Sequence, residues 1–326
     1  MTYNLSEKFL SGDFDQEATR AGFGRGLLAA GEQNKNVVAL AADLKDSVQM
    51  GKFADKFPDR FVEVGIAEQN LVTVAAGMAH MGKIPFAASF AAFNPGRNYE
   101  QIRTTIALNN QPVKVVGSHA GVSVGEDGAT HQMLEDIAMM RVLPNMVVIA
   151  PGDSIEAEKV AVACAKDKRP TYIRLTRTGS PIFSTAKSPF EIGRAYVLKQ
   201  GKDVTLLATG TMTAQALIAA AELEKKKLSA EVVHVPTIKP LDETTILASV
   251  QKTGRAITIE EHQIGGGFGS AVAELLAENH RGEKLQFKRV GINDQFGQSG
   301  APAELLEYYG LTAKNIVKVA REMMSK

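Results

Sequence analysis

Six short apolar runs, at 37–42, 61–64, 84–88, 113–117, 146–150 and 171–175, punctuate the first half of the chain. Each is too short for a helix and is bounded by polar residues, the pattern of a strand buried on both faces. Between them, helical patterns occupy 67–81, 97–108, 132–142 and 153–167, and an amphipathic segment carrying Arg20 covers 14–33. Strand and helix in alternation need crossover connections. They predict a mostly parallel sheet with helices on both sides.

From Thr176 to Gly193 the periodicity stops, and Thr178-Gly179-Ser180-Pro181 and Lys187-Ser188-Pro189 supply turn and linker chemistry. Beyond it the alternation resumes, with strands expected at 195–199, 204–209, 230–235, 256–260 and 286–292 and helices at 213–226, 242–252, 268–279 and 311–324. At 326 residues the chain exceeds what one core usually holds, roughly 250 to 300 residues. The expected fold class is therefore α/β with two domains, 1–185 and 190–326, each a mostly parallel sheet flanked by helices.

Charge excludes some functions. With 37 basic and 36 acidic residues and no basic block, nothing marks a nucleic-acid or membrane surface. No apolar run reaches the roughly 18 residues needed to span a bilayer, and Met1 to Ser11 lacks the pattern of a signal peptide, so a cytoplasmic protein is expected. Cys164, the one cysteine, sits in an Ala/Val-rich helical pattern and reads as a buried, inert thiol.

In open parallel sheets, ligands bind beyond the carboxyl ends of the strands. Asp43, Glu68, Phe90 and His119 each follow a predicted strand and would converge on one edge. Glu68 opens a helix, where an acid often only complements the dipole, but Val64, Gly65, Ile66 and Ala67 surround it with apolar groups suited to proton exchange with a buried ligand. Phe90 and Phe93 read either as core or as a flat wall for a heteroaromatic ring. The loop from Gly117 to His131 carries four glycines with His119, Glu126, Asp127 and His131, and a long Gly-rich polar loop is usually functional. Its ligand spacing is looser than a zinc site wants, so hydrogen bonding to a hydroxylated substrate is the preferred reading. Gly265-Gly266-Gly267-Phe268-Gly269 is not a dinucleotide fingerprint, because Ser270 holds the third glycine position. A turn for tight helix packing is expected instead.

Ala42-Asp43-Leu44 with Ser47, Gly65-Ile66-Ala67-Glu68-Gln69, Phe90-x-x-Phe93, Val124-Gly125-Glu126-Asp127-Gly128-x-Thr130-His131-Gln132, Ile238-Lys239-Pro240-Leu241-Asp242 and Glu260-Glu261-His262 together resemble the C-terminal portion of transketolases. The resemblance runs through essentially the whole chain, in the family's order. It implies a thiamine-diphosphate enzyme whose first domain binds the pyrimidine. Glu68 would bond N1′ of the aminopyrimidine and promote the imino form that deprotonates the thiazolium C2. Phe90 and Phe93 would flank the ring, with Asp43 and Leu44 beside the cofactor. The same likeness puts His119, Asp127 and His131 around the sugar's hydroxyls and carbonyl, with His119 and His131 counted among the catalytic residues. Arg20, Ser47 and Arg177 would grip a sugar phosphate.

The chain also departs from the family pattern. Gly96 stands where a third aromatic is common, Ala120 follows His119 where Asp is common, and Lys45, Asp46 and Val48 replace usual neighbours of Ser47. The Gly-Asp-Gly and Asn pair that holds the metal and diphosphate in full-length transketolases is not found in this sequence. The resemblance is therefore to the C-terminal subunit of a split transketolase, with no metal ligands of its own. Its expected partner is an N-terminal subunit, in an α2β2 assembly, holding the Mg²⁺ or Ca²⁺, and transfer of a two-carbon ketol unit from a ketose phosphate to an aldose or aldose phosphate is the expected reaction, of the pentose phosphate pathway type. The alternatives are a 1-deoxy-D-xylulose-5-phosphate synthase-like subunit, a 2-oxo acid dehydrogenase β-type subunit, or a non-catalytic regulatory subunit of the same fold.

Overall fold

In the computed structural model, which describes residues 3–279 and 285–325, the apolar runs of the first half lie side by side. Their order is Phe61–Glu63, Val37–Ala41, Ile84–Phe90, Lys114–Ser118, Thr171–Arg174 and Val147–Ile149, and every neighbouring pair is parallel. All residues of Val37–Ala41 and Lys114–Ser118 are buried, which is why these runs show no polar alternation. A second sheet orders Gln286–Ile292, Arg255–Gln263, Val204–Ala208, Ala230–His234 and Tyr196–Lys199, parallel except for the last pair. The chain is thus α/β, with two mostly parallel sheets flanked by helices.

The two halves interlock more than the alternation predicts. Thr237–Lys239, from the second half, adds an antiparallel seventh strand beside Val147–Ile149 in the first sheet. Conversely Tyr3, Phe9 and Phe183 are buried in one cluster with Leu206, Ile257 and other residues of the second sheet. The segment expected to be a linker is pinned as well, since Ser180–Pro181 pairs antiparallel with Gln16–Glu17.

Several expected helices are cut short. The 14–33 segment is helical only over Thr19–Gln33, because Gln16 and Glu17 are extended in that pairing. The 97–108 segment divides into a short turn, Tyr99–Gln101, and a π-helical stretch, Ile102–Ala107. The 132–142 segment shrinks to Asp136–Arg141, since the Gln132 side chain is bonded into the loop at Val122 O and Gly125 O. Helices Gly51–Lys56 and Pro302–Tyr308 carry too little periodicity to be expected.

One packing detail aims the site. Thr19–Gln33 lies so close to Ser154–Cys164 that a Cβ on Gly22 would come 1.7 Å from Ser154 O, and one on Gly26 would come 2.3 Å from Glu158 O. Only bare Cα atoms allow this approach. It seats the first turn of the helix, and with it Arg20, at the carboxyl edge of the sheet. Cys164 is buried in the facing helix, and burial pushes its thiol up to about 12, as an inert structural cysteine requires.

Candidate active site

Neighbouring parallel strands end together, so the residues just past Glu63, Ala41, Phe90, Ser118 and Arg174 line one edge. Glu68, Asp43, Phe90, His119 and Arg177 all stand there.

Glu68 begins the helix Glu68–His80 and is 3% exposed. Its surroundings are not simply apolar, as the flanking sequence suggests. Ile66 turns outward, 74% exposed, and Arg97 Nη1 donates to Glu68 Oε2 at 2.8 Å. The Arg97 guanidinium also lies 4.6 Å from the Phe93 ring centroid, a cation–π contact. This segment is anchored from beneath: Asn98 Nδ2 donates to Glu68 O at 2.8 Å, and Asn94 Nδ2 donates to Ala87 O at 2.9 Å and Val116 O at 3.1 Å. At Gly96 a Cβ would sit 2.1 Å from Ala92 O, so this backbone admits no aromatic there. The companion of Phe93 is the Arg97 guanidinium instead.

Phe90 and Phe93 are half-buried, Phe90 with one side against the core of the first sheet, and their ring centroids are 6.1 Å apart with planes 24° from parallel. His119 stacks against the Phe90 ring of this wall, 3.8 Å between centroids, and His131 meets Phe93 edge-on at 5.4 Å. His119 adopts φ 57°, uncommon for a residue with a side chain, and its Nδ1 is 2.9 Å from Ser118 Oγ.

Arg20 and Arg177 converge on His119. Arg20 Nη1 donates to Ser47 O at 2.7 Å and lies 3.5 Å from His119 Nε2, so Ser47 enters through its carbonyl. Arg177 Nη1 donates to Val124 O at 2.7 Å and is 3.6 Å from carboxylate oxygens of both Glu126 and Asp127. Burial, then the charges of Arg20 and Arg177, drive the His119 imidazole down to about 3, so it is neutral at physiological pH. Arg20 itself is held below its ordinary value by burial and by Arg177. The two guanidiniums are brought together by a clamp that has no sequence signature, Thr19 Oγ1 accepting from Thr176 N at 2.8 Å.

Asp43 is exposed at φ 57°, its N–H donating to Glu63 Oε1 at 2.7 Å, and Leu44 is partly buried beside it. With Ser47 and Glu63 they line a cleft of about 450 Å³. Among the described residues, no group of three or more His, Cys, Asp or Glu is arranged to hold a metal ion, and no helix is long and apolar enough to cross a membrane.

The later motifs are architectural. Ile238 and Lys239 belong to the added strand, and Asp242 caps the helix Glu243–Thr253 through Thr245 N. Glu260 accepts from Phe268 N at 2.6 Å and Gly269 N at 2.7 Å, capping the helix that follows the glycine cluster. A Cβ on Gly267 would lie 2.2 Å from Glu260 Oε2, which accounts for the cluster as a tight helix-packing turn.

Comparison with known proteins agrees with this fold. The family model "Transketolase, pyrimidine binding domain" matches residues 15–181, and "Transketolase, C-terminal domain" matches 193–316. A solved structure described as a split gene transketolase, inactive beta4 tetramer, superposes with a TM-score of 0.88 at 45% identity, covering 94% of this chain and 98% of that one. The 6-deoxy-6-sulfo-D-fructose transketolase subunit SqwH of Clostridium sp. is 41% identical over 92% of each chain. An apulose-4-phosphate transketolase subunit of Phocaeicola vulgatus is 36% identical over 95% of this chain and 98% of its own. Carrying both domains in order and matching more than nine-tenths of these single-subunit relatives, the chain belongs to the transketolase family, among its split C-terminal subunits.

Proposed function

We propose that this chain is the pyrimidine-side subunit of a two-chain transketolase, transferring a two-carbon ketol unit from a ketose phosphate to an aldose or aldose phosphate. The observation that carries the reading is the convergence of Arg20 and Arg177 on a neutral His119. Two adjacent guanidiniums suit an anionic group, and a neutral imidazole can accept or donate a hydrogen bond at a sugar hydroxyl or carbonyl.

The residues fit thiamine diphosphate on its pyrimidine side. A buried carboxylate stands beside two stacked aromatics, joined to them by one guanidinium. Glu68 would hold a proton at the pyrimidine ring nitrogen, and Phe90 and Phe93 would bear on the ring face. Asp43 and Leu44 would border it. Thiamine diphosphate supplies the carbanion chemistry needed to break and remake a carbon–carbon bond beside a carbonyl. His119, His131 and Asp127 would orient the sugar, and Arg20, Arg177 and the Ser47 carbonyl would set the place of its phosphate. We take 1–185 as the pyrimidine-binding unit and 190–326 as the C-terminal one. The diphosphate and its Mg²⁺ or Ca²⁺ would be held by an N-terminal partner subunit in a cytoplasmic α2β2 assembly.

Mixing the purified chain with that partner, thiamine diphosphate and Mg²⁺ should yield ketol transfer from xylulose 5-phosphate. Comparable transfer by this chain alone would overturn the two-chain reading, and preferred decarboxylation of pyruvate would overturn the reaction. Glu68→Gln should lower turnover by at least roughly 100-fold with the circular dichroism unchanged.

A further inference from the structure

Glu261 belongs to the second sheet's unit and is buried, yet its carboxylate leaves that unit. Its Oε1 accepts from Ser123 N at 2.7 Å, across 138 residues of sequence. Ser123 is the middle of the turn Val122–Val124, at the head of the loop carrying Asp127 and His131. Burial pushes the Glu261 carboxyl up, opposed by Arg174 and by this bond to Ser123.

Two further features make the contact specific. Gly121 has φ 91°, and a Cβ there would lie 2.2 Å from Glu261 Oε1, so the carboxylate rests against a bare Cα. The carbonyl side of the same turn is taken by the substrate-edge residues: Thr178 Oγ1 donates to Ser123 O at 2.5 Å, and Arg177 Nη1 to Val124 O at 2.7 Å. With Gly121, Gly125 and Gly128 all at positive φ, the loop backbone has many conformations open to it. Inside the loop, Gln132 Nε2 donates to Val122 O and Gly125 O, while the N–H of Ser123 is bonded from outside, by Glu261.

We infer that Glu261 is a positioning residue: the second domain uses its carboxylate to fix the Val122–Val124 turn, and through it the placement of Arg177, Asp127 and His131. The inference rests on the proposed sugar-binding role of those residues. It gives the C-terminal domain a part in the site that lies wholly outside contact with substrate or cofactor.

The test has two arms. In the free chain, hydrogen exchange is followed in wild type, Glu261→Gln and Glu261→Ala. Amides over 121–131 should exchange roughly 10- to 100-fold faster in Glu261→Ala, from loss of a hydrogen bond to a buried charged group, with sheet amides unchanged. Glu261→Gln, which keeps the shape, should fall between and serves alone if the alanine variant does not fold. In the complex with the partner subunit, KM for the sugar donor should rise roughly 10-fold or more while the thiamine diphosphate Kd stays within about twofold. Gly121→Ala, which both strains the backbone at φ 91° and displaces the carboxylate, should reproduce the KM effect. Unchanged exchange over 121–131 in a folded variant overturns the inference, as does an equal loss of sugar and cofactor affinity. If the wild-type complex transfers no ketol unit, the proposed reaction fails, while the exchange arm still decides whether Glu261 anchors the loop.

Discussion

Arg97 reaches over the Phe93 ring and donates Nη1 to Glu68 Oε2 at 2.8 Å, so a half-exposed cation covers a buried carboxylate at the sheet edge. An aminopyrimidine bound against Glu68, as proposed, would have to share or replace this contact. Removing the cation leaves a buried acceptor without its partner. Arg97→Ala should therefore destabilise the free chain by about 1–3 kcal/mol. Adding Glu68→Gln should recover part of the loss, and additive melting shifts in the double-mutant cycle would contradict the coupling.

The depressed His119 predicts a pH dependence. Unfolded, the imidazole takes a proton near pH 6.5, but in the fold it refuses one until about 3. The stability it contributes is complete above pH 6.5 and declines as pH falls from 6.5 toward 3, by up to about 1.4 kcal/mol per pH unit for one proton. His262, driven by burial to about 4, acts in the same sense, and Glu260, raised to about 7, in the opposite one. His119→Asn should flatten the acid side of a denaturant-midpoint profile relative to wild type. Parallel profiles would show that His119 is not held neutral.

Arg20 and Arg177 are proposed to meet the substrate's anion, so the effect of losing Arg20 should depend on that anion. Arg20→Met should raise KM for a phosphorylated donor by roughly 10- to 100-fold and leave an unphosphorylated donor nearly unaffected, whereas Arg177→Met, which also frees Val124 O in the loop, should raise KM for both. Steady-state kinetics on paired donors measures the difference. Equal losses on both donors in Arg20→Met would remove the phosphate role.

Gly22 tests how the scaffold aims the site. With 1.7 Å between its notional Cβ and Ser154 O, Gly22→Ala must push the helix Thr19–Gln33 away from Ser154–Cys164. The expected cost is about 1–3 kcal/mol in stability, together with a higher donor KM through displacement of Arg20. A thermal melt and a donor titration check both parts, and a variant as stable as wild type would show that the helices part freely.

The amino-acid sequence by itself determined the sheets and the edge on which the site is built. Unbroken apolar runs such as Val37–Ala41 are burial written directly into composition, and parallel strands must end side by side, so Glu68, Phe90 and His119 were legible as neighbours. Only the tertiary structure decided the partners. Nothing in Arg97, one residue past Gly96, announces a bond to Glu68, and the Thr19–Thr176 and Ser123–Glu261 contacts join residues 157 and 138 positions apart. The short strand Thr237–Lys239 likewise finds its place only in the other half's sheet. Periodicity reports how much of a side chain is buried, which local sequence controls. Which group it meets there depends on how whole elements pack, and that is a property of the complete chain.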